Sequence, residues 1–451
     1  LELLDSVLSR IEEVEGKVKA FITITPDIAR EQAKKAQGLI KEGLYITGIP
    51  CVIKDNICTK GIRTTCGSKI LENFIPPYSA SVYERLLEKG CVLVGKANMD
   101  EFAMGSTTET SAWGITRNPW DTRRVAGGSR GGAAASVASG EVQVALGSDT
   151  GGSARQPAAL CGVWGFKPTY GAISRRGLVA YASSLDTIGI IAQHPEDIIA
   201  VFETIAQPSL LDMTSIIINK TERFLKRWGY FEEFVSYNAL EPCIRNAFYE
   251  ILDFLKEKEI EIVPLKCEFL ELLIPVYYII ATAEASSELA RFDGITFGKR
   301  RENGDIATKT RSEGFGKEVI TRIVMGTYAL REGFRDQYYE KAVCMRNHMK
   351  NLLRKIFEDV DVILSPVFPQ KAPEIGEALK DPIALKFADI YTVLANLAGI
   401  PAVAFPVSIE EGLPVGLQAM GRWGEDFSLL ATARDLFAER WRSCVCSKNW
   451  S

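Results

Sequence analysis

Three residues invite chemistry: two serines crowded by glycines, and a lysine at the end of an apolar run. In Ala145–Gly162, ALGSDTGGSARQPAALCG, Ser153 follows two glycines directly. In VAGGSRGGAAASVASG, Gly127, Gly128, Gly131 and Gly132 surround Ser129. Lys54 closes GIPCVIK and precedes Asp55 and Asn56. A serine hydroxyl attacks a carbonyl only when a base takes its proton. Histidine is the usual base, but the chain has only His194, in QHPED, and His348, in RNHMKNLLRK. Both contexts suit surface or packing histidines. A lysine can serve instead when desolvation or polar neighbours lower its pKa toward neutrality. Lysines are seldom buried without a purpose, and Lys54 ends what reads as a buried strand. The ordinary reading of Lys54, an ion pair with Asp55, weighs about the same on these residues alone.

The glycine loops have ordinary readings too. Glycine-rich turns before small-residue helices can cradle phosphate. Neither loop has the spacing of a Walker motif or of G-x-G-x-x-G, so tight turning and close helix packing are the competing explanation. GGSRG also fits the G-x-S-x-G nucleophile elbow. That elbow follows an apolar strand and needs a histidine base, whereas Ser129 follows the charged, turn-like NPWDTRRVA.

The elements that must position these residues alternate between strand and helix. Leu4, Val7, Leu8, Ile11, Val14 and Val18 recur at helical spacing, and a second helix is expected from Pro26 to Glu42. GIPCVIKDN reads as a buried strand. CVLVGKANMDEFAMG reads as a strand followed by a helix, and VQVALGSD as a strand leading into the helix ARQPAAL. Residues 317–357 read as helical, VDVILSPVFP and IPAVAFPVSI as strands, and EDFSLLATARDLFAERW as a closing helix. This alternation predicts an α/β fold with a central mixed sheet covered by helices. One large domain over 1–451 is expected, with N-terminal helices over about 1–45. A charged, aromatic, peripheral helical segment is expected over about 205–265, and a frayed tail over about 440–451.

Composition narrows the function classes. The chain has 451 residues, 47% of them hydrophobic, and a net charge of −4. That balance disfavours strong nucleic-acid binding by the chain alone, which depends on neutralising phosphates. It leaves room for a local basic patch around Arg123, Arg124 and Arg130. No run of about 18 apolar residues exists, so no membrane contact is expected. The first residues lack the basic region and cleavage site of a signal peptide and lack a Met, so the natural start is expected to be trimmed. The ten cysteines include no C-x-x-C pair. With two histidines, no metal site is expected, and buried, reduced thiols suit a cytoplasmic protein, or an organellar one in a eukaryote.

Taken in order, GIPCVIKDNI, GGSRGG and GSDTGGSARQPAALCGVWGFKPTYG resemble the amidase signature family. The resemblance implies a Ser–cis-Ser–Lys triad. Ser153 would be the nucleophile, Ser129 the proton relay after a cis peptide bond, and Lys54 the base. The backbone N–H groups of Thr150, Gly151 and Gly152 would then serve the oxyanion, aided by the start of the following helix. Further stretches, among them VGKANMDEFAMGS, KPTYGAISRRGLVAYASSLDTIG, YYIIATAEASSELARFDG and TRSEGFGKEVITRIVMGTY, are similar to the A subunits of glutamyl-tRNA(Gln) amidotransferases. That narrower resemblance implies a glutaminase supplying ammonia for conversion of Glu-tRNA(Gln) to Gln-tRNA(Gln). It implies a B subunit that uses ATP and Mg, a small clamping C subunit, and no cofactor in this chain. It carries glutamine recognition to Tyr277, Arg322 and Asp389. An arginine can grip an α-carboxylate bidentately and an aspartate can bind an α-ammonium.

The chain departs from the family where Ala126, Arg130 and Ala133 replace a proline and two serines of the usual loop. Arg130 beside Ser129 leaves three outcomes: it alters Lys54, fills the pocket, or points outward. Two other readings stand beside the glutaminase: a stand-alone amidase acting on other amides, and a scaffold subunit disabled by Arg130.

Overall fold

The computed structural model describes residues 1–39, 45–301 and 304–444. Thirteen strands are found among the described residues: β1 Phe21–Ile24, β2 Pro50–Lys54, β3 Val92–Ala97, β4 Arg117–Asn118, β5 Asp121–Val125, β6 Val144–Asp149, β7 Trp164–Lys167, β8 Thr187–Ala192, β9 Arg227–Phe231, β10 Glu261–Leu265, β11 Val362–Pro366, β12 Ala402–Glu410 and β13 Leu413–Gly421. Eleven of them form one sheet, in the order β1-β3-β2-β6-β8-β7-β12-β13-β11-β9-β10, while β4 and β5 make a separate ribbon. The sheet is mixed. β2 runs parallel to β3 and β6, and β6 runs antiparallel to β8. This is the expected α/β architecture.

Helices cover both faces, as continuous apolar strands require. They are α1 Glu2–Val18, α2 Pro26–Gln37, α3 Ser81–Glu88, α4 Gly131–Ala138, α5 Arg155–Cys161, α6 Pro195–Ile205, α7 Glu232–Ser236, α8 Pro242–Glu257, α9 Leu270–Glu288, α10 Ile306–Gly314, α11 Lys317–Leu330, α12 Lys341–Asp359, α13 Pro382–Phe387, α14 Val393–Ala398 and α15 Asp426–Cys444. α1 buries the six side chains its spacing predicts. They pack with Val52, Val94, Ala145 and the alanines of α4 on one face of the sheet. Cys51, Ile53, Leu93 and Leu146 enter the larger core on the other face. Alternate residues of one strand thus serve two cores. None of the described helices is long and apolar enough to cross a membrane.

Four expectations need correction. A strand, β1, lies between the two N-terminal helices and pairs with β3; α2 ends at Gln37, and residues 40–44 of its expected course lie outside the described residues. No α-helix follows β3. A single 3-10 turn, Glu101–Ala103, stands there, with Phe102 at φ 49°. The Asp100 carboxylate accepts the Thr108 and Thr110 N–H groups, and such local capture competes with helix formation. The segment over 205–265 contains two sheet strands as well as helix. β9 lies between β10 and β11 with its Trp228 and Phe231 fully buried, and β10 is the edge strand, so the segment is peripheral only in lying at one end of the sheet. In the expected tail, α15 continues through Cys444, and residues 445–451 lie outside the described residues.

Candidate active site

Two adjacent parallel strands deliver the chemistry. Ile53 of β2 stands opposite Leu146 of β6, so Lys54 and the turn after β6 emerge side by side at the strand ends. Lys54 Nζ lies 2.8 Å from Ser129 Oγ and 3.0 Å from Ser148 Oγ. Ser129 Oγ lies 3.0 Å from Ser153 Oγ. Lys54 and Ser129 are 0% exposed and Ser153 is 7% exposed, so the chain of polar atoms opens outward only at Ser153. The Gly128–Ser129 peptide bond is cis. The three residues named from sequence are therefore brought together in the expected order. Such an array can pass a proton from Ser153 through Ser129 to an uncharged amine.

Burial is the main cause that pulls Lys54 down, to about 7, with the charge of Arg130 adding to it; Asp100, Asp186 and Asp149 pull the other way. Near neutrality a substantial fraction of Lys54 is then a free amine. Asn56 Nδ2 donates to Ser148 Oγ at 2.9 Å. Ser148 thus gathers two nitrogen donors, which leaves the Ser129 side of Nζ for the lone pair. The ion pair weighed for Lys54 and Asp55 is not formed; Asp55 lies 3.6 Å from Lys96 instead.

The turn that presents Ser153 is built around one carboxylate. Asp149 accepts the Gly152 and Ala154 N–H groups, each at 3.0 Å. Arg155 Nε and Nη2 also bind it, at 3.1 Å each. Burial alone would raise this carboxyl, but Arg155, Lys167 and Asn396 outweigh it and hold Asp149 well below the usual carboxylate range. Arg155 extends to Gln418 Oε1 at 2.8 Å and Asn396 Oδ1 at 2.7 Å, anchoring the turn to β13 and α14. The glycines answer both readings made from sequence. Gly152 has φ +133°, and a Cβ there would strike the Thr392 side chain; one on Gly151 would strike the Tyr277 hydroxyl. One on Gly132 would meet the backbone of Ala20 and Asn98, the close packing expected of a small-residue helix.

The oxyanion donors differ from expectation at one position. Gly152 N–H is taken up by Asp149, and of the expected donors Thr150 and Gly151 are not so engaged. The first N–H groups of α5, on Arg155 and Gln156, already donate to Gly152 O at 2.8 Å. The helix start therefore braces the turn rather than facing a substrate.

Tyr277, Arg322 and Asp389 are all buried around this turn. Arg322 Nε donates to Glu318 at 2.8 Å and Nη1 to Tyr181 Oη at 2.6 Å, with the guanidinium beside the Tyr278 ring. Asp389 accepts from Gln156 Nε2 at 2.8 Å, Tyr278 Oη at 2.8 Å and Ser106 Oγ at 3.2 Å. Burial pushes its carboxyl up. Sequence reasoning missed Tyr181, Tyr278, Ser106, Gln156 and Ser148; Tyr278 adjoins Tyr277 in a motif already in view. A cavity of about 450 Å³ opens beside Asp186, which accepts from Thr150 Oγ1. It is lined by none of Ser153, Tyr277, Arg322 or Asp389, so it is not the pocket these residues would form.

Of the remaining expectations, Arg123 and Arg124 pair with Asp121, and Arg130 is fully buried. The three arginines therefore do not share one exposed patch: Arg130 is buried away from the other two, which are paired with Asp121. The elbow reading of Ser129 also fails, since the strand before its loop, β5, belongs to the two-stranded ribbon. Of the eight cysteines whose side chains are described, six are buried thiols.

The model of the family described as Amidase matches residues 2–430. The A subunit of the glutamyl-tRNA(Gln) amidotransferase of Thermoanaerobacter pseudethanolicus is 50% identical over 447 residues, covering 96% of this chain and 91% of its own. A crystal structure of the corresponding A subunit from Thermotoga maritima superposes with a TM-score of 0.81 at 40% identity, over 96% of this chain and 90% of that one. A crystal structure of an amidase superposes with a TM-score of 0.83 at 31% identity, over 97% and 95% of the two chains. With a family match over most of its length and relatives of this identity, the chain belongs to the amidase family.

Proposed function

We propose that this chain is the glutamine-hydrolysing subunit of a tRNA-dependent amidotransferase. It would act as one amidase domain and release ammonia for conversion of Glu-tRNA(Gln) to Gln-tRNA(Gln). The observation that carries the chemistry is the unbroken Lys54–Ser129–Ser153 chain, with separations of 2.8 and 3.0 Å. Two things favour glutamine over other amides. One is the 50% identity to an amidotransferase A subunit over 96% of this chain. The other is a buried cation, Arg322, and a buried carboxylate, Asp389, suited to an amino acid's two charges.

In this reading Ser153 Oγ attacks the side-chain amide carbon of glutamine. Its proton moves to Ser129 as the Ser129 proton moves to neutral Lys54. Backbone N–H groups at Thr150 and Gly151 stabilise the oxyanion. Collapse breaks the C–N bond, the relay runs backward to protonate the leaving nitrogen, and ammonia departs. Water then attacks the Ser153 ester by the same route and releases glutamate. The partner B subunit would use ATP and Mg to activate the misacylated tRNA, a C subunit would clamp the pair, and this chain needs no cofactor for its own step.

The deciding experiment measures glutamate and ammonia release from glutamine by the full chain, alone and with B and C subunits plus acylated tRNA. Glutamine hydrolysis that depends on the complex is the expected result. Hydrolysis of simple neutral amides as fast as glutamine, with no effect of partners, would instead identify a stand-alone amidase. A complex that lacks glutaminase activity but retains amidation from free ammonia would identify a scaffold subunit.

A further inference from the structure

Arg130 is a buried charge with few partners. It is 0% exposed, yet only Nη2 has a partner, the Gly189 carbonyl at 2.8 Å. Nε and Nη1 are buried with no protein partner among the described residues. A buried cation without a carboxylate against it is costly, and an orphaned donor adds about 1–3 kcal/mol. The fold makes room for this group. Gly147 of β6 and Gly189 of β8 stand opposite each other in register. A Cβ on Gly189 would lie 3.0 Å from Arg130 Nη1, and one on Gly147 would lie 2.6 Å from Arg130 Nε. The same Gly147 Cβ would lie 2.7 Å from Lys54 Cβ and 2.9 Å from Lys54 Cδ. The guanidinium and the lysine stem therefore meet across one bare Cα.

We propose that Arg130 is a positioning residue for Lys54: its buried charge, held over the Gly147–Gly189 floor, keeps the neighbouring amine in the uncharged form that can accept a proton from Ser129. The proposal rests on the Ser–Ser–Lys reading of the site. It turns a departure from the usual loop into part of the relay. Three carboxylates face Lys54 and favour its ammonium: Asp100 from the loop after β3, Asp149 at the end of β6 and Asp186 before β8. Burial and Arg130 oppose them, and burial is the larger of the two. Burial also brings Arg130 down, to about 9, which leaves it cationic at neutral pH. Coulomb interactions across a few ångströms of protein are strong enough to move a titration by about one unit or more.

The test follows Lys54 directly, by nuclear magnetic resonance of the full chain with lysine labelled at ¹³Cε, assigned by loss of the signal in Lys54→Arg. Lys54 should titrate near 7 in the unaltered chain. In Arg130→Met, and in Arg130→Ser should the Met variant not fold, the midpoint should rise by about one unit. Arg130→Lys keeps the charge and should hold the midpoint near its original value. The glutaminase complex supplies the second readout. The acid limb of the acylation rate should move with the midpoint, giving about tenfold slower acylation below it, while the alkaline plateau stays within about threefold. A midpoint unmoved in the uncharged variants overturns the proposal, as does one that rises in folded Arg130→Lys. A lowered plateau with an unmoved limb would mark Arg130 as structural filling. The titration needs no turnover, so absence of glutaminase activity would count against the proposed function and leave this result readable.

Discussion

Lys54 and Lys96 stand on neighbouring parallel strands, both wholly buried and both pulled down in pKa, by burial first. Their surroundings nevertheless give them opposite characters. In the β2–β3 register Lys96 stands opposite Ile53 rather than Lys54, so the two side chains leave on opposite faces of the sheet. Lys96 Nζ donates to the Ile57 carbonyl at 2.8 Å, Thr64 Oγ1 at 2.7 Å and Thr59 Oγ1 at 3.1 Å, with Asp55 Oδ1 at 3.6 Å. A carbonyl and a carboxylate only accept, so this cage is made for an ammonium with three protons. Lys54 meets two hydroxyls, Ser129 and Ser148, and a hydroxyl can donate as well as accept. That cage tolerates a lone pair.

Lys167 refines the lesson. Burial brings it to about 7 as well, yet its Nζ donates to the Pro168 carbonyl at 2.8 Å, and among the described residues no serine hydroxyl is recorded as its partner. A perturbed lysine is therefore not enough to mark a base. The route by which a proton reaches it makes the distinction.

The largest effects should follow from cutting that route. Ser153→Ala should form no acyl-enzyme. Lys54→Ala should slow single-turnover acylation by about 10²–10⁴-fold while the protein still melts cooperatively, because the relay loses its proton sink. In the unaltered chain acylation should fall as pH drops below about 7, since protonating Lys54 removes its lone pair. Near-normal acylation in Lys54→Ala would dissolve the contrast between the two lysines. Lys96→Met reverses the pattern. It leaves the Asp55 carboxyl, which burial already pushes up, without its counter-ion, and chemical denaturation should show a loss of up to about 3–5 kcal/mol. The double variant Asp55→Asn/Lys96→Met should recover part of that loss, because both charges are then gone. An Lys96→Met protein that keeps its stability but loses acylation would place Lys96 in the chemistry.

Much of the frame around these lysines was readable in the sequence. β2, β6, β11 and β12 each contain a short apolar run next to polar or turn residues, and α1 declares its buried face by spacing. β1 was missed because four residues at a sheet edge carry no periodicity against the helices on either side. β9 was missed because RWGYF sits among charges that mask its buried tryptophan and phenylalanine. The three central site residues were legible through their motifs, taken in order. The residues that hold them were not. Arg155 reaches Asn396 and Gln418, and Asp389 reaches Ser106, across more than two hundred residues of chain. No local pattern records such contacts. Nor does composition reveal a buried arginine, since that side chain is ordinarily exposed.

Arg322 offers a smaller effect and a cation of a third kind. It is held by Glu318 and by Tyr181, so it is oriented before any substrate arrives. In the proposed reaction it meets the α-carboxylate of glutamine. Arg322→Ala should raise the glutamine KM by about 10- to 100-fold, the range expected for loss of a charge-assisted hydrogen bond, while hydrolysis of simple neutral amides changes little. Equal losses on both substrates would show that Arg322 braces the site without reading the substrate.

The smallest effect expected is the one that isolates lysine as the base. His194 is exposed at the start of α6, and His348 is exposed on α12. Neither is among the hydrogen-bond partners of Lys54, Ser129 or Ser153. If one of them took the Ser153 proton in the complete enzyme, a large rearrangement would have to carry it to a hydroxyl already engaged with Ser129. Changing both to glutamine keeps polarity and similar bulk at two exposed positions, where substitutions ordinarily shift stability by no more than about 0.5 kcal/mol. The double variant should therefore retain acylation within about twofold and keep the acid limb of its pH profile, because that limb belongs to Lys54. Circular dichroism and the melting curve establish that the fold is intact before rates are compared. Loss of acylation in a folded double variant, or loss of the acid limb with the rate preserved, would assign the titrating base to histidine and overturn the contrast between Lys54 and the other buried lysines.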